Sequence, residues 1–320
     1  MELKPSTTEK YDKIKAKQLK PSVKSKLKKI KEDKALYLML LPTLIYFIIF
    51  RLWPILNMKL AFYDYRSLGP WKWAGLKYFK LIFKSPLFEV IVKNTLIISF
   101  MKYVILFPFI VLFAILLTEL KSNIFRKYVQ VVSFLPHFLS WVVIAGIWIS
   151  FLSPSSGAIN QILGIFNISP IDFMTDKERI RWVLLFSEAW RSIGWDSIIY
   201  FTAIISISPN IFEAAEIDGA NRLDIIRYIV LPALVVPMVT MFILNLGFFL
   251  NAGFDQVFNF TNDSVNSVID ILDTYIYRLG LVNGQYSLAT AVGVLKGIIG
   301  VLLVLITHFI SKKLTGEGVW

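Results

Sequence analysis

Six stretches of this chain, 35–57, 93–118, 128–152, 181–207, 232–252 and 288–311, are too apolar to have water as their solvent. Each reaches the roughly 18 to 20 residues that a helix needs to cross a bilayer. The bilayer core offers backbone amides no hydrogen-bond partner, so such segments must satisfy their own and are expected to be helices. Aromatic residues near several ends (Tyr37, Trp53, Trp141, Tyr200) suit the lipid–water interface. The composition agrees, with 56% apolar and 15% aromatic residues among 320. The expected fold is all-α, a polytopic membrane protein with six transmembrane helices over 35–320.

Six is even, so both ends belong on one side, and charge chooses the side. Residues 1–34 carry twelve lysines against five acids and no apolar run. A basic tail alone would suggest nucleic acid. Beside a span it reads as a cytosolic, disordered tail drawn to anionic lipid, with any helix confined to Lys24–Lys34, and no nucleic-acid partner is expected. The basic stretch is too long, and no small-residue cleavage site follows the first apolar run, for a cleaved signal peptide. Both termini are therefore expected in the cytoplasm, with the chain in the plasma membrane. Lys121, Arg126, Lys127, Lys312 and Lys313 agree. The segment 58–92 does not: it has six basic residues and two acids where alternation puts it outside. Its aromatics suggest an amphipathic helix along the outer interface. The acidic segment 253–287 fits an outer face, and 153–180, with Pro154 and Gly157, reads as a turn.

Between spans four and five, residues 208–232 form a loop with its own signals. Asn210 precedes Glu213 by three, a variant of the capping box that starts a helix. Gly219 supplies the left-handed backbone that ends it. Asn221 stands three before Asp224, a weaker start signal, and Pro232 suits the first turn of the next span. Two short helices meeting at a glycine corner are expected. They make either a plain capped hairpin or a knob for a partner's cleft, with Ala214 and Ala215 allowing close approach and Glu213 and Glu216 offering carboxylates.

The fixed spacing decides between these. Glu213-Ala214-Ala215, three residues, Gly219, nine residues, then Ile229, Leu231 and Pro232 resembles the cytoplasmic coupling loop of bacterial ATP-binding-cassette importers. From residue 36 onward the chain is similar to their maltose-type carbohydrate permeases. Ala61–Tyr65, Trp73–Phe79, Asn94-Thr95, Asn251–Phe258, Asp273–Tyr275, Gln285–Ser287 and Gly318–Trp320 resemble the polysaccharide-type (LplB-like) branch. The resemblance implies a type I importer transmembrane domain with cytoplasmic coupling helices, and span one peripheral to a core of spans two to six. It implies ATPase coupling through Glu213, Ala214, Ala215, Asp218, Gly219, Ile229, Leu231 and Pro232. The partners it implies are a second homologous permease, two ATPase subunits and an extracytoplasmic sugar-binding protein. No Gly-x-x-x-x-Gly-Lys-Ser/Thr phosphate loop is present, so ATP and Mg are expected on the partner ATPase and no cofactor in this chain. Two histidines without metal-ligand spacing and zero cysteines suggest neither a metal site nor catalysis.

Ionisable groups inside spans mark function by default. Glu188 and Arg191 are three apart in span four, beside Trp190 and Asp196. Either they pair with each other or they line a path. Lys102 in span two either reaches the interface or meets a carboxylate on another helix. A sugar site combines amides or carboxylates with aromatic planes, and Asn245, Asn251, Phe254, Asp255 and Gln256 offer that mixture. An oligosaccharide path between spans three and five is expected, with acidic and neutral glycans both open. The alternatives are an importer permease for another solute, or an ion-coupled carrier, whose repeat signature is not evident.

Overall fold

The computed structural model describes residues 33–315. The tail over 1–32, with most of its expected helix, and the Gly318–Trp320 signature lie outside them. Four helices are long and apolar enough to cross a membrane: Lys34–Phe62, Pro86–Glu119, Arg222–Gly247 and Tyr286–Phe309. Two helix pairs, Asn123–Phe138 with Trp141–Leu152 and Ile180–Ile205 with Pro209–Ile217, are bent by 107° and 67°. With each pair taken as one span, the described residues hold six, numbered here in order. Among the described residues the only sheet is a ribbon of β1 (Tyr63–Asp64) and β2 (Lys72–Trp73).

Proline shapes several spans. Ile48–Leu52, Met101–Ile105 and Ile226–Val230 are widened, π-helical turns, and Pro54, Pro108 and Pro232 follow them closely. After each turn an amide bonds to a carbonyl five residues back: Trp53 to Ile48, Leu106 to Met101, Leu231 to Ile226. Proline lacks an amide hydrogen and its ring crowds the carbonyl four residues earlier, so opening one turn relieves the clash without ending the helix.

Three apolar clusters assemble residues 60–315. Leu106, Ala114, Tyr200 and Leu234 join spans two, four and five. Ile98, Ala145, Leu184 and Val257 join span two, the second half of span three, span four and the segment after span five. Ile82, Ile91, Tyr275 and Val292 bring the ribbon's neighbouring helix, Lys77–Lys84, against span six. Span three meets span four at Gly194, where a Cβ would stand 2.3 Å from the Ser133 carbonyl oxygen. Only a residue without a side chain allows that approach.

Polar side chains tie the elements at fixed points. The Lys102 Nζ of span two donates to the Ala252 carbonyl at 2.7 Å and pairs with Glu188 of span four at 2.8 Å. Lys296 of span six donates to Asn251 Oδ1 at 2.7 Å and to Asp273 at 2.5 Å. Asn94 donates to the Ser267 and Asp270 carbonyls and accepts from Arg181 at 2.8 Å. The ribbon is pinned to the start of span six by Ser287, whose Oγ donates to Tyr63 O and accepts from the Tyr65 amide. Outside the spans, Lys77 and the Tyr78 hydroxyl donate to Asp64 and hold its carboxyl below the usual range.

Several expectations change. The span over 128–152 is not straight: an amphipathic helix, Asn123–Phe134, passes through a 3-10 turn at Leu135–Phe138, and Ser140 caps a new helix by accepting from the Val143 amide. The segment 153–180 holds a helix, Ala158–Ile165, beyond its turn, because buried Asn160 takes up the Leu152, Ser153 and Ile171 carbonyls. Over 58–92 the amphipathic helix shrinks to Lys77–Lys84, since the preceding residues form the ribbon. Asn210 is not a cap; Ser208 precedes the helix and Pro209 opens it. Pro232 does not begin span five, which runs unbroken from Arg222 across the widened turn.

Two stability predictions follow from these contacts. Gly194→Ala is expected to cost roughly 1–3 kcal/mol through overpacking against Ser133, whereas Gly164→Ala, with open space around it, should be near neutral. Thermal unfolding of the detergent-purified chain reads the difference. Glu188→Gln strands a buried ammonium and is expected to cost roughly 3–5 kcal/mol. The Lys102→Met/Glu188→Leu double variant should recover most of that loss in the same assay.

Candidate functional site

A cavity of about 680 Å³ lies among spans two to five, of a size that takes small organic ligands. Span four supplies most of one wall. Glu188, Arg191, Ser192, Trp195 and Ile199 recur at helical spacing, and Asp196 joins them. Span two adds Lys102, Tyr103 and Phe107, span three Trp141, span five Met241 and Asn245, and the chain beyond it Asn251 and Gly253.

The break after span five is held open by its neighbours. Gly253 has φ +92°, and a Cβ there would stand 2.5 Å from Lys102 Nζ. Glycine thus meets two demands, a left-handed backbone and room for the ammonium. Tyr103 donates its hydroxyl to the Asn251 carbonyl at 3.3 Å. Lys102 itself lies in the widened turn of span two, so its side chain departs from the direction regular periodicity would assign.

Glu188 and Arg191 do not pair with each other. Glu188 is taken by Lys102, and the Arg191 guanidinium lies over the Trp141 ring, 5.1 Å from its centroid, with one long bond of 3.4 Å to the His137 carbonyl. His137 stacks flat on Trp195 at 4.4 Å, which steadies the bend of span three against span four. The expected path residues therefore divide. Glu188, Arg191, Asn245 and Asn251 line the cavity. Trp190 turns to an apolar recess with Ile147, Trp148 and Phe151. Phe254 stacks with Phe258 and Tyr277, and Asp255 is exposed on the helix Phe254–Phe260. Gln256 is buried, and its amide donates to Leu184 O at 2.7 Å and Ser187 Oγ at 2.8 Å, a brace between elements. Tyr103, Ser192 and Met241 were not anticipated. Ser192 follows Glu188 by four and was legible from helical spacing; Tyr103 and Met241 depend on how other spans pack.

The second feature is the hairpin that leaves the end of span four. Its first helix, Pro209–Ile217, closes with the Ala220 amide bonded to Ala215 O at 2.9 Å and Gly219 at φ +80°. Asn221 then forms a complete capping box with Asp224 and starts span five. Glu213, Ala214, Glu216, Asp218 and Gly219 are exposed, and so are two large apolar side chains, Ile217 at 86% and Leu223 at 76%. Ile229, Leu231 and Pro232 stand higher, on span five itself. Arg222 pairs with Glu119 at 2.6 Å, tying the hairpin to the end of span two. Among the described residues, no three metal-binding side chains converge.

Comparison with known proteins gives this arrangement a context. A family described as the binding-protein-dependent transport system inner membrane component matches residues 107–316. The polygalacturonan/rhamnogalacturonan transport system permease protein YteP of Bacillus subtilis (strain 168) is 38% identical over 296 residues, covering 91% of this chain and 92% of that protein. Protein LplB of the same organism is 36% identical over 294 residues, with 91% and 92% covered. A chain from the crystal structure of a bacterial alginate ABC transporter, in complex with an alginate pentasaccharide-bound periplasmic protein, superposes with a TM-score of 0.84. It is 36% identical, and the match covers 91% of this chain and 98% of that one. The bent fourth span with its exposed hairpin and the cavity beside it are thus those of a transport permease, and the chain belongs to the binding-protein-dependent transport system inner membrane component family.

Proposed function

We propose that this chain is one permease subunit of an ATP-driven importer for oligosaccharides, including acidic ones released from polysaccharides. The observation that carries the reading is a single stiff element with both features on it. The helix Ile180–Ile205 bears Glu188 and Arg191 on the cavity wall and turns through 67° into the hairpin at its other end. From Glu188 to Ile205 is about 25 Å at 1.5 Å per residue. A push on the hairpin reaches the cavity through that rod.

The hairpin has the chemistry of a docking knob. Ile217 and Leu223 expose apolar surface that a soluble partner would cover, and Glu213, Glu216 and Asp218 surround it with carboxylates. An ATPase subunit on the cytoplasmic side is the partner that fits, with ATP and Mg bound there. Two such subunits, a second homologous permease and an extracytoplasmic binding protein complete the complex, and both termini of this chain lie in the cytoplasm. ATP binding draws the hairpins together and turns the cavity outward; hydrolysis resets it. The nucleotide moves the equilibrium only through its different affinity for the two states.

The wall composition supports a glycan. Trp141 and Trp195 offer ring faces and edges, Asn245 and Asn251 amides, Glu188 and Asp196 carboxylates. The names of the relatives, for pectic polymers and alginate, point the same way.

Glu213→Ala is expected to leave membrane insertion and assembly intact while lowering ATP-driven uptake several-fold in proteoliposomes of the whole complex. Full uptake by that variant would remove Glu213 from the coupling role. Because the sequence contains no cysteine, Ile217→Cys provides a single thiol on the hairpin. A membrane-impermeant maleimide should label it in inside-out vesicles and not in intact cells. Labelling from outside would reject the ATPase contact altogether.

A further inference from the structure

The charges in the cavity are not all answered from within. Two cations, Lys102 and Arg191, and two carboxylates, Glu188 and Asp196, stand on its wall. Lys102 is fully engaged, with Glu188 Oε2 at 2.8 Å and the Ala252 carbonyl at 2.7 Å. That pair also occupies Glu188. Arg191 has no comparable partner: among the described residues no ion pair includes it. Its Nε is buried without an acceptor, and its Nη2 reaches one carbonyl, His137 O, at 3.4 Å. Asp196, five residues on in the same wall, feels the Arg191 charge but forms no ion pair with it.

A guanidinium presents five donors in a planar fork that matches a carboxylate with two parallel bonds. Leaving such a group short of acceptors inside a span is costly unless a ligand supplies them. The fork is also held in place. Trp141 lies beneath it at 5.1 Å, and the His137 carbonyl is fixed by the stacking of that imidazole on Trp195 at 4.4 Å. The bend of span three thus builds a seat for the arginine on the cavity wall.

We infer that Arg191 is the receptor for the carboxylate of a uronic-acid residue, and that it sets a preference for acidic over neutral oligosaccharides. The inference rests on the cavity being the glycan path. Lys102, although a cation in the same cavity, takes no part in the preference, because Glu188 already answers its charge.

The test uses the purified complex in detergent, with wild type, Arg191→Gln and Arg191→Lys, and two probes of equal length. These are trigalacturonate and its fully methyl-esterified form, with affinity read by saturation-transfer NMR without the binding protein. Esterification removes the charge and keeps the rings. Wild type should prefer the acid by roughly ten- to a hundred-fold, the worth of a charge-assisted bidentate pair. Arg191→Gln should lose that preference with ester affinity unchanged, and Arg191→Lys should keep part of it.

Retention of the preference by Arg191→Gln, or equal binding of both probes by wild type, overturns the inference and leaves the glycan reading standing. Loss of both probes in Arg191→Gln makes Arg191 a structural prop and likewise overturns it. Binding of neither probe by wild type brings down the glycan reading, and the inference with it.

Discussion

The Lys102 ammonium sits where three parts of the chain meet. Span two carries it, span four answers its charge through Glu188, and the break after span five gives it the Ala252 carbonyl. In a low-dielectric interior a lone ammonium is not tolerated, so these elements are held together by the cost of separating them as much as by attraction. Gly253 has no side chain because that ammonium occupies the space. The position of Glu188 on the cavity wall, and the absence of an ion pair between it and Arg191, go with this one pairing.

The helices are irregular in places with identifiable causes. Prolines 54, 108 and 232 follow widened turns that spare the helix a break. Span three bends through 107° where Ser140 caps a new helix, and the bend sets Trp141 and His137 against span four. Straight helices would pack side by side and close the space between them. Here Leu106, Tyr200 and Leu234 pack spans two, four and five together, and Leu106 and Tyr200 also line the cavity. Cavity and seal come from the same helices.

Span four unites the two functional regions. Its middle carries a wall of ionisable and aromatic side chains, and its far end turns into the exposed hairpin. The proposed coupling needs stiffness between the sites and compliance at their edges. Gly194 locks the middle of the helix onto Ser133 of span three, while Gly219 and the Asn221–Asp224 box define the corner where a partner would push. The Arg222–Glu119 pair extends the corner to span two, which carries Lys102 near its middle.

What was legible in the residues was what local physics governs. Apolar runs become helices because lipid leaves the backbone no other partner. Gly219 ends a short helix, and the Asn221–Asp224 spacing starts another, because cap bonds span only a few residues. The Glu188, Arg191 and Asp196 group could be singled out since charge inside a span is expensive wherever the span lies. The partners of those charges were not legible. Helical spacing left Glu188 either to pair with Arg191 or to line a path, but the fold pairs it with Lys102, 86 residues earlier, and sends Gln256 to brace Leu184 instead of lining the path. The sequence by itself determined which segments enter the membrane and where the hairpin turns, because those depend on neighbours along the chain. Only the tertiary structure decided which side chains meet in the cavity, because a widened turn or a bend redirects a helix face, and no local pattern records what stands across from it.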